Sequence, residues 1–192
     1  FGNKQEADES AHRINKLHEV INGEDDVTGG YYDALDHEQL LWVHACLQIS
    51  SIYFYEMTVK KLSEEEKNQY HLENMKAAEL VLVDKNKMPK THDGLKNWVT
   101  EKSREDGYLV STDVAEDVKN IIGGGPVPKH IKPIWPFIAF TAFNTLPKEF
   151  KEIYGISDSK LKNVILGINL SLLKYTRPFL PPFFRLIAPA RW

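Results

Sequence analysis

The segment EQLLWVHACLQISSIYFYEMTVKKL, residues 38–62, limits the fold more than any other part of the chain. Asp36, with Gln39 three residues on, places a capping box at its entrance, so the segment is expected to run as one helix. A helix this apolar has to be covered on several sides, which demands other helices packed around it. The remaining sequence supplies them. A helix is expected from about Glu6 to Asn22, stopped by Gly23, and the polar loop GEDDVTGGYYDAL follows. Ser63 with Glu66 repeats the capping box and opens a third helix to about Val83, with Tyr70, Met75, Ala78 and Leu82 turned inward. Pro89 and Thr91 introduce a fourth, carrying Leu95, Trp98 and Val99. Ser111 or Thr112 starts a fifth, which the run GGGP ends. Further helices are expected at about Ile134 to Asn144, Pro147 to Tyr154 and Ser157 to Tyr175. No stretch alternates apolar and polar residues long enough to call for a strand. The expectation is an all-α, multi-helix bundle forming a single domain over residues 1–192, with an aromatic and proline-rich tail at 176–192.

Charge and cysteine content remove several functions. The 24 basic residues are interspersed with 27 acidic ones, for a net charge of −3, so no basic tract suits a nucleic acid. One cysteine, Cys46, permits neither an intrachain disulfide nor a CxxC site; its expected role is packing. No signal peptide is visible, and PIWPFIAFTAF and NVILGINLSLL fall short of the roughly 18 residues of a membrane-spanning helix. A cytoplasmic or peripheral membrane location fits best. The tail TRPFLPPFFRLIAPARW, with Phe183 and Phe184 among prolines and arginines, is expected either to pack on the helical body or to touch a membrane surface.

Most catalytic constellations are missing. There is no GxSxG elbow, no HExxH, and the glycines of GGGPVPKHIKP lead into proline rather than the GK[ST] of a phosphate loop. A carboxylate-bridged di-iron site would need two Glu-x-x-His pairs, and Glu9 with His12 is the one such spacing. Two histidines on apolar helices remain. His18 shares a stripe with Ala11, Ile14 and Ile21, and His44 shares one with Leu40, Leu41, Leu47 and Ser51. Each is either a hydrogen-bonded core histidine or an axial ligand to heme.

The stretches FGNKQEADESAHRINKLHEVING and YYDALDHEQLLWVHACLQISSIYFYE, followed by LPKEFKEIYGIS and PFFRLIAPARW, resemble the rubber oxygenase family, which includes the latex-clearing protein and the ER-bound MpaB-type oxygenases. The pattern R-x-x-x-x-H-x-x-x-x-G at Arg13, His18 and Gly23, and the run from Tyr32 to Ala45, carry most of the likeness. The resemblance implies a globin-like helical domain holding heme b. It implies a histidine as axial iron ligand, His18 by position with His44 as the alternative, and a propionate or salt-bridge contact for Arg13. Trp42 and Tyr55 would line the pocket or belong to the core. The implied chemistry is addition of dioxygen across a double bond of an apolar, unsaturated substrate of isoprenoid or lipid type. In the family the distal polar residues lie on a helix preceding the segment like FGNKQEADES. This chain starts at Phe1 in that segment, so the expectation is a domain lacking the family's N-terminal helices. A noncatalytic helical module that binds a lipid or a partner protein, or a structural subunit of a larger assembly, is the alternative reading.

Overall fold

The computed structural model describes residues 3–24, 29–105, 112–125 and 127–179; residues 180–192, and with them Phe183 and Phe184, lie outside the described part. The described residues hold eight α-helices and one two-stranded sheet, and they group into two compact units. The first is carried by residues up to Glu56 and from Lys60 through the fourth helix. The second is carried by the fifth to eighth helices together with residues 57–59.

In the first unit, α1 (Lys4–His18) opens on Asn3, whose side chain accepts the Glu6 N–H while the Glu6 carboxylate accepts the Asn3 N–H. This capping box satisfies two end-of-helix donors at once. The helix stops at His18, four residues earlier than the sequence led us to expect. Beyond it, Asn22–Glu24 (β1) pairs antiparallel with Tyr31–Asp33 (β2), with Asn22 opposite Asp33. Asn and Gly are poor helix formers while tyrosines favour strands, so the ladder takes residues the helix would otherwise have used. At three residues a side, the strands are too short to show alternation in the sequence. Nor is the expected stripe fully buried: Ala11 is, but Ile14 is 44% exposed and Ile21 stays on the surface.

Helix α2 (His37–Thr58) is central to this unit. Asp36 caps it as expected, its carboxylate accepting the Gln39 N–H. The helix ends four residues short of Leu62, and beyond that end the Glu56 carboxylate accepts the Leu62 N–H at 3.0 Å. Helix α3 (Glu64–Leu80) begins on the predicted Ser63–Glu66 box. It closes with Leu82 N–H on the Glu79 carbonyl and Val83 N–H on the Ala78 carbonyl, leaving Leu82 at φ 65°. That position normally takes glycine. Leu82 therefore points out, 53% exposed, where an inward side chain was expected. Helix α4 (His92–Lys102) is capped by Thr91, which accepts the Gly94 N–H. Leu40, Leu41 and Ala45 of α2, Ala78 of α3, Leu95 of α4, and Val83 and Met88 between the last two form one buried cluster. Trp42 packs tilted on Trp98 with ring centres 6.4 Å apart.

The second unit contains α5 (Thr112–Gly124), α6 (Trp135–Asn144), α7 (Lys148–Ile153), α8 (Lys160–Thr176) and a 3-10 turn at Arg177–Phe179. Helix α5 ends within the glycine run, and at Gly125 the backbone leaves no room for a side chain, since a Cβ there would lie 2.5 Å from the Ile121 carbonyl oxygen. Trp135 donates its indole N–H to the Ile122 carbonyl at 2.7 Å, joining α5 to α6. Helices α6 and α8 pack together, and the Asn169 amide donates to the Thr141 hydroxyl at 3.2 Å in their buried seam. Among the described residues, no helix is long and apolar enough to cross a membrane.

Candidate functional site

His44 sits near the middle of α2, on the border between two faces. To one side lie the buried Leu41, Ala45, Gln48 and Ile52; to the other, Val43, Leu47 and Phe54 form an exposed apolar strip. The ring is half-buried, and its Nε2 is buried without a hydrogen bond. Burial pushes its pKa below the usual histidine value, the nearby His71 adds to this, and the backbone of Asn74 opposes it. At neutral pH His44 is therefore an uncharged imidazole, the form that can donate a lone pair to a metal. Leu47 and Ser51, expected to share its covered face, are exposed.

His18 is the last residue of α1. It is half-buried, and its Nδ1 is buried without a partner. One turn earlier, Asn15 donates its amide to the Leu80 carbonyl at 3.0 Å, which fixes this side of α1 on the end of α3. Arg13 lies on the exposed surface and donates to the Ser10 hydroxyl at 3.0 Å. It enters no ion pair among the described residues, so the salt-bridge role does not hold there. Ile14, Leu17 and Ile21 around His18 are exposed, so both sequence-predicted histidines border exposed apolar surface.

The most completely buried histidine is one that the motifs do not single out. His71 on α3 is fully enclosed. Its Nδ1 lies 2.9 Å from Gln48 Nε2 and its Nε2 lies 2.8 Å from the Pro89 carbonyl oxygen. A carbonyl can only accept, so Nε2 is the ring nitrogen that donates to Pro89, while Nδ1 pairs with the Gln48 amide. It ties α2, α3 and the loop before α4 together. Gln48, one turn after His44 on the same helix, is left with a buried side-chain oxygen that accepts nothing. The signal is present in the sequence, since His71 falls in phase with Met75 and Ala78 on the inward face of α3.

Other candidates carry less. Burial pushes the Cys46 thiol up to about 11, so it stays protonated and packs as expected. His37 Nδ1 accepts the Asp84 N–H at 3.3 Å, and the backbone N–H of His92 donates to Asn68, although each ring keeps one unpaired buried nitrogen. No group of three or more metal-ligating side chains occurs among the described residues. An imidazole that ligates heme iron needs no such group, because the porphyrin supplies the other donors.

No curated protein and no solved structure matches the chain. A family model does: the catalytic domain of the ER-bound oxygenase mpaB/B'/rubber oxygenase family matches residues 1–172. That match takes in both motif-bearing segments, all of α1 to α7 and most of α8, and the chain belongs to this oxygenase family.

Proposed function

We propose that the chain is a heme-dependent oxygenase domain in which His44 would hold the heme iron and the substrate is apolar and unsaturated, of isoprenoid or lipid type. The observation that carries this reading is the unpaired, buried Nε2 of a neutral His44 at the edge of the exposed strip Val43, Leu47 and Phe54. An orphan imidazole nitrogen costs stability in a core, and beside an open apolar wall it is suited to an apolar, metal-bearing ring. When bound, heme b would supply the redox-active iron that brings dioxygen to the substrate's double bond.

The chain's own residues have simpler tasks. His44 would hold the iron through Nε2, its ring fixed by the helix and by its contacts with α3. Val43, Leu47 and Phe54 would exclude water from one side of the ring and favour a hydrocarbon over a polar substrate. Arg13 offers an exposed guanidinium whose hydrogen bond to Ser10 is to a neutral group, which leaves it suited to a propionate. His18 is the alternative ligand, with the same kind of orphan nitrogen at a helix end.

The test is oxygen uptake by heme-reconstituted protein given squalene or, in parallel, its saturated counterpart squalane. Uptake with squalene alone, accompanied by carbonyl-containing products, is the expected result. Equal uptake with both, or none with either, would contradict the reading. A second reading, a noncatalytic module for a lipid or partner protein, is favoured by α8, where Leu161, Val164, Ile168, Leu172 and Tyr175 stand exposed along one side. Colourless protein carrying copurified lipid would support it.

A further inference from the structure

The first unit holds a cleft of about 690 Å³ between the last turns of α2 and the first half of α3. Neither His18 nor His44 lines it, and Tyr55, expected in the heme pocket or the core, lines this cleft instead. Its floor is apolar: Ile52 is buried, Leu62 is half-buried, and the half-buried rings of Tyr55 and Tyr70 form two of its walls. Its rim is acidic, with Glu65, Glu66 and Glu73 all on α3.

These carboxylates differ in what they already hold. Glu66 is neutralised by Lys60 at 2.5 Å, and the adjacent Glu56 by Lys61 and Lys67. Glu65 is hydrogen-bonded to Ser63, and Glu73 accepts the neutral Gln69 amide at 2.8 Å; among the described residues no lysine or arginine pairs with either. The cleft thus joins a greasy floor, two tyrosine side chains and two carboxylates without cationic partners among the described residues. Its size falls in the range of small-molecule pockets. Aromatic faces attract ammonium groups, most strongly where water is partly excluded. An anionic head would be repelled by this rim, and a neutral one would gain no charge attraction from it.

We infer that this cleft binds an amphipathic cation, a hydrocarbon chain ending in an amine or quaternary ammonium, with the chain over Ile52 and Leu62 and the head between Tyr55, Tyr70, Glu65 and Glu73. The experiment is calorimetric titration of the whole protein with dodecyltrimethylammonium below its micelle concentration, compared with dodecyl maltoside, which has the same chain and an uncharged head. The double variant Glu65→Gln, Glu73→Gln keeps the side-chain volumes and alters only exposed groups, with circular dichroism to confirm the fold.

Saturable binding of the cation is expected, weakened about three- to tenfold in the double variant, as two solvent-exposed charge contacts would give. The maltoside should bind less tightly than the cation and be indifferent to the substitutions. In Tyr70→Leu, which keeps the apolar bulk and removes the ring, the advantage of the cation over the maltoside should shrink. Absence of binding would overturn the inference. So would equal affinity for the two heads, which would make this a plain apolar groove. An affinity that both glutamines leave unchanged would place the cation elsewhere. Binding of a lysine-rich peptide without binding of dodecyltrimethylammonium would assign the cleft to a protein partner and refute the small-molecule reading.

Discussion

The two units bury different kinds of residue. In the first, aliphatic side chains from three helices close on one another, and the fully enclosed ring of His71 has both nitrogens hydrogen-bonded. In the second, the buried positions are mainly small or polar, Ala115, Ala139, Thr141, Asn144, Lys151 and Asn169, while Leu161, Val164, Ile168 and Leu172 of α8 face outward. The first unit therefore has a core of its own. The second holds much of its apolar surface in reserve, as a wall awaiting a ligand, a lipid or a partner would. Within the first unit, α2 shows both characters, with Leu41 and Ala45 inside and Val43 and Leu47 outside.

Substitutions can break this contrast, and the largest effect belongs to the core. Leu95→Ala should cost about 2–5 kcal/mol by leaving a cavity, whereas Ile168→Ala on the open side of α8 should change stability by less than about 0.5 kcal/mol. Urea melts of the two variants would check both. A large loss at Ile168 would mean that its face is already covered and that the units do not differ as described. Next comes the polar clasp. His71→Leu strands the Gln48 amide and the Pro89 carbonyl and should cost about 1–3 kcal/mol in all. Adding Gln48→Leu should recover part of that loss, a coupling that a double-mutant cycle measures.

A smaller change sharpens the picture with the opposite sign. Leu82 holds φ 65° with its side chain exposed, so Leu82→Gly should stabilise the first unit by about 1 kcal/mol, read as a rise in melting temperature. The mildest effect is that of pH. His44 and His92 both have pKa values pushed below the ordinary 6.5 by burial. Between their folded values and 6.5 the unfolded chain binds more protons, so stability is full above pH 6.5 and declines as pH falls through that window. Replacing His92 with glutamine should flatten the slope of melting temperature against pH, and an unchanged slope would place its origin elsewhere.

The sequence shows the helices well where the signal is local. The Asp36 and Ser63 caps, the Thr91 cap and the glycine stop after α5 are all decided by residues within a turn of one another. The hairpin after α1 is hidden because Asn22 and Gly23 read as a helix stop, and their strand partners lie across a loop. Leu82 looks inward because its spacing from Ala78 is helical, yet the backbone has already left the helix there. For the candidate site, the sequence places His18 and His44 on apolar helices. It cannot show which neighbours stay exposed, since Val43, Leu47 and Ile14 are as apolar as any core residue. That distinction is tertiary. His71 is legible in phase but not in partners, because Gln48 and Pro89 reach it from elsewhere in the chain.

The heme assignment is tested most directly by the absorption spectrum, from 350 to 700 nm with and without dithionite, of protein reconstituted with hemin as wild type, His44→Ala and His18→Ala. Ligation by His44 predicts a Soret band that shifts on reduction in the wild type and in His18→Ala, and its loss in His44→Ala with the far-ultraviolet dichroism retained. A normal Soret band in His44→Ala together with its loss in His18→Ala would move the ligand to the end of α1. No hemin-dependent band in any of the three would contradict the heme reading.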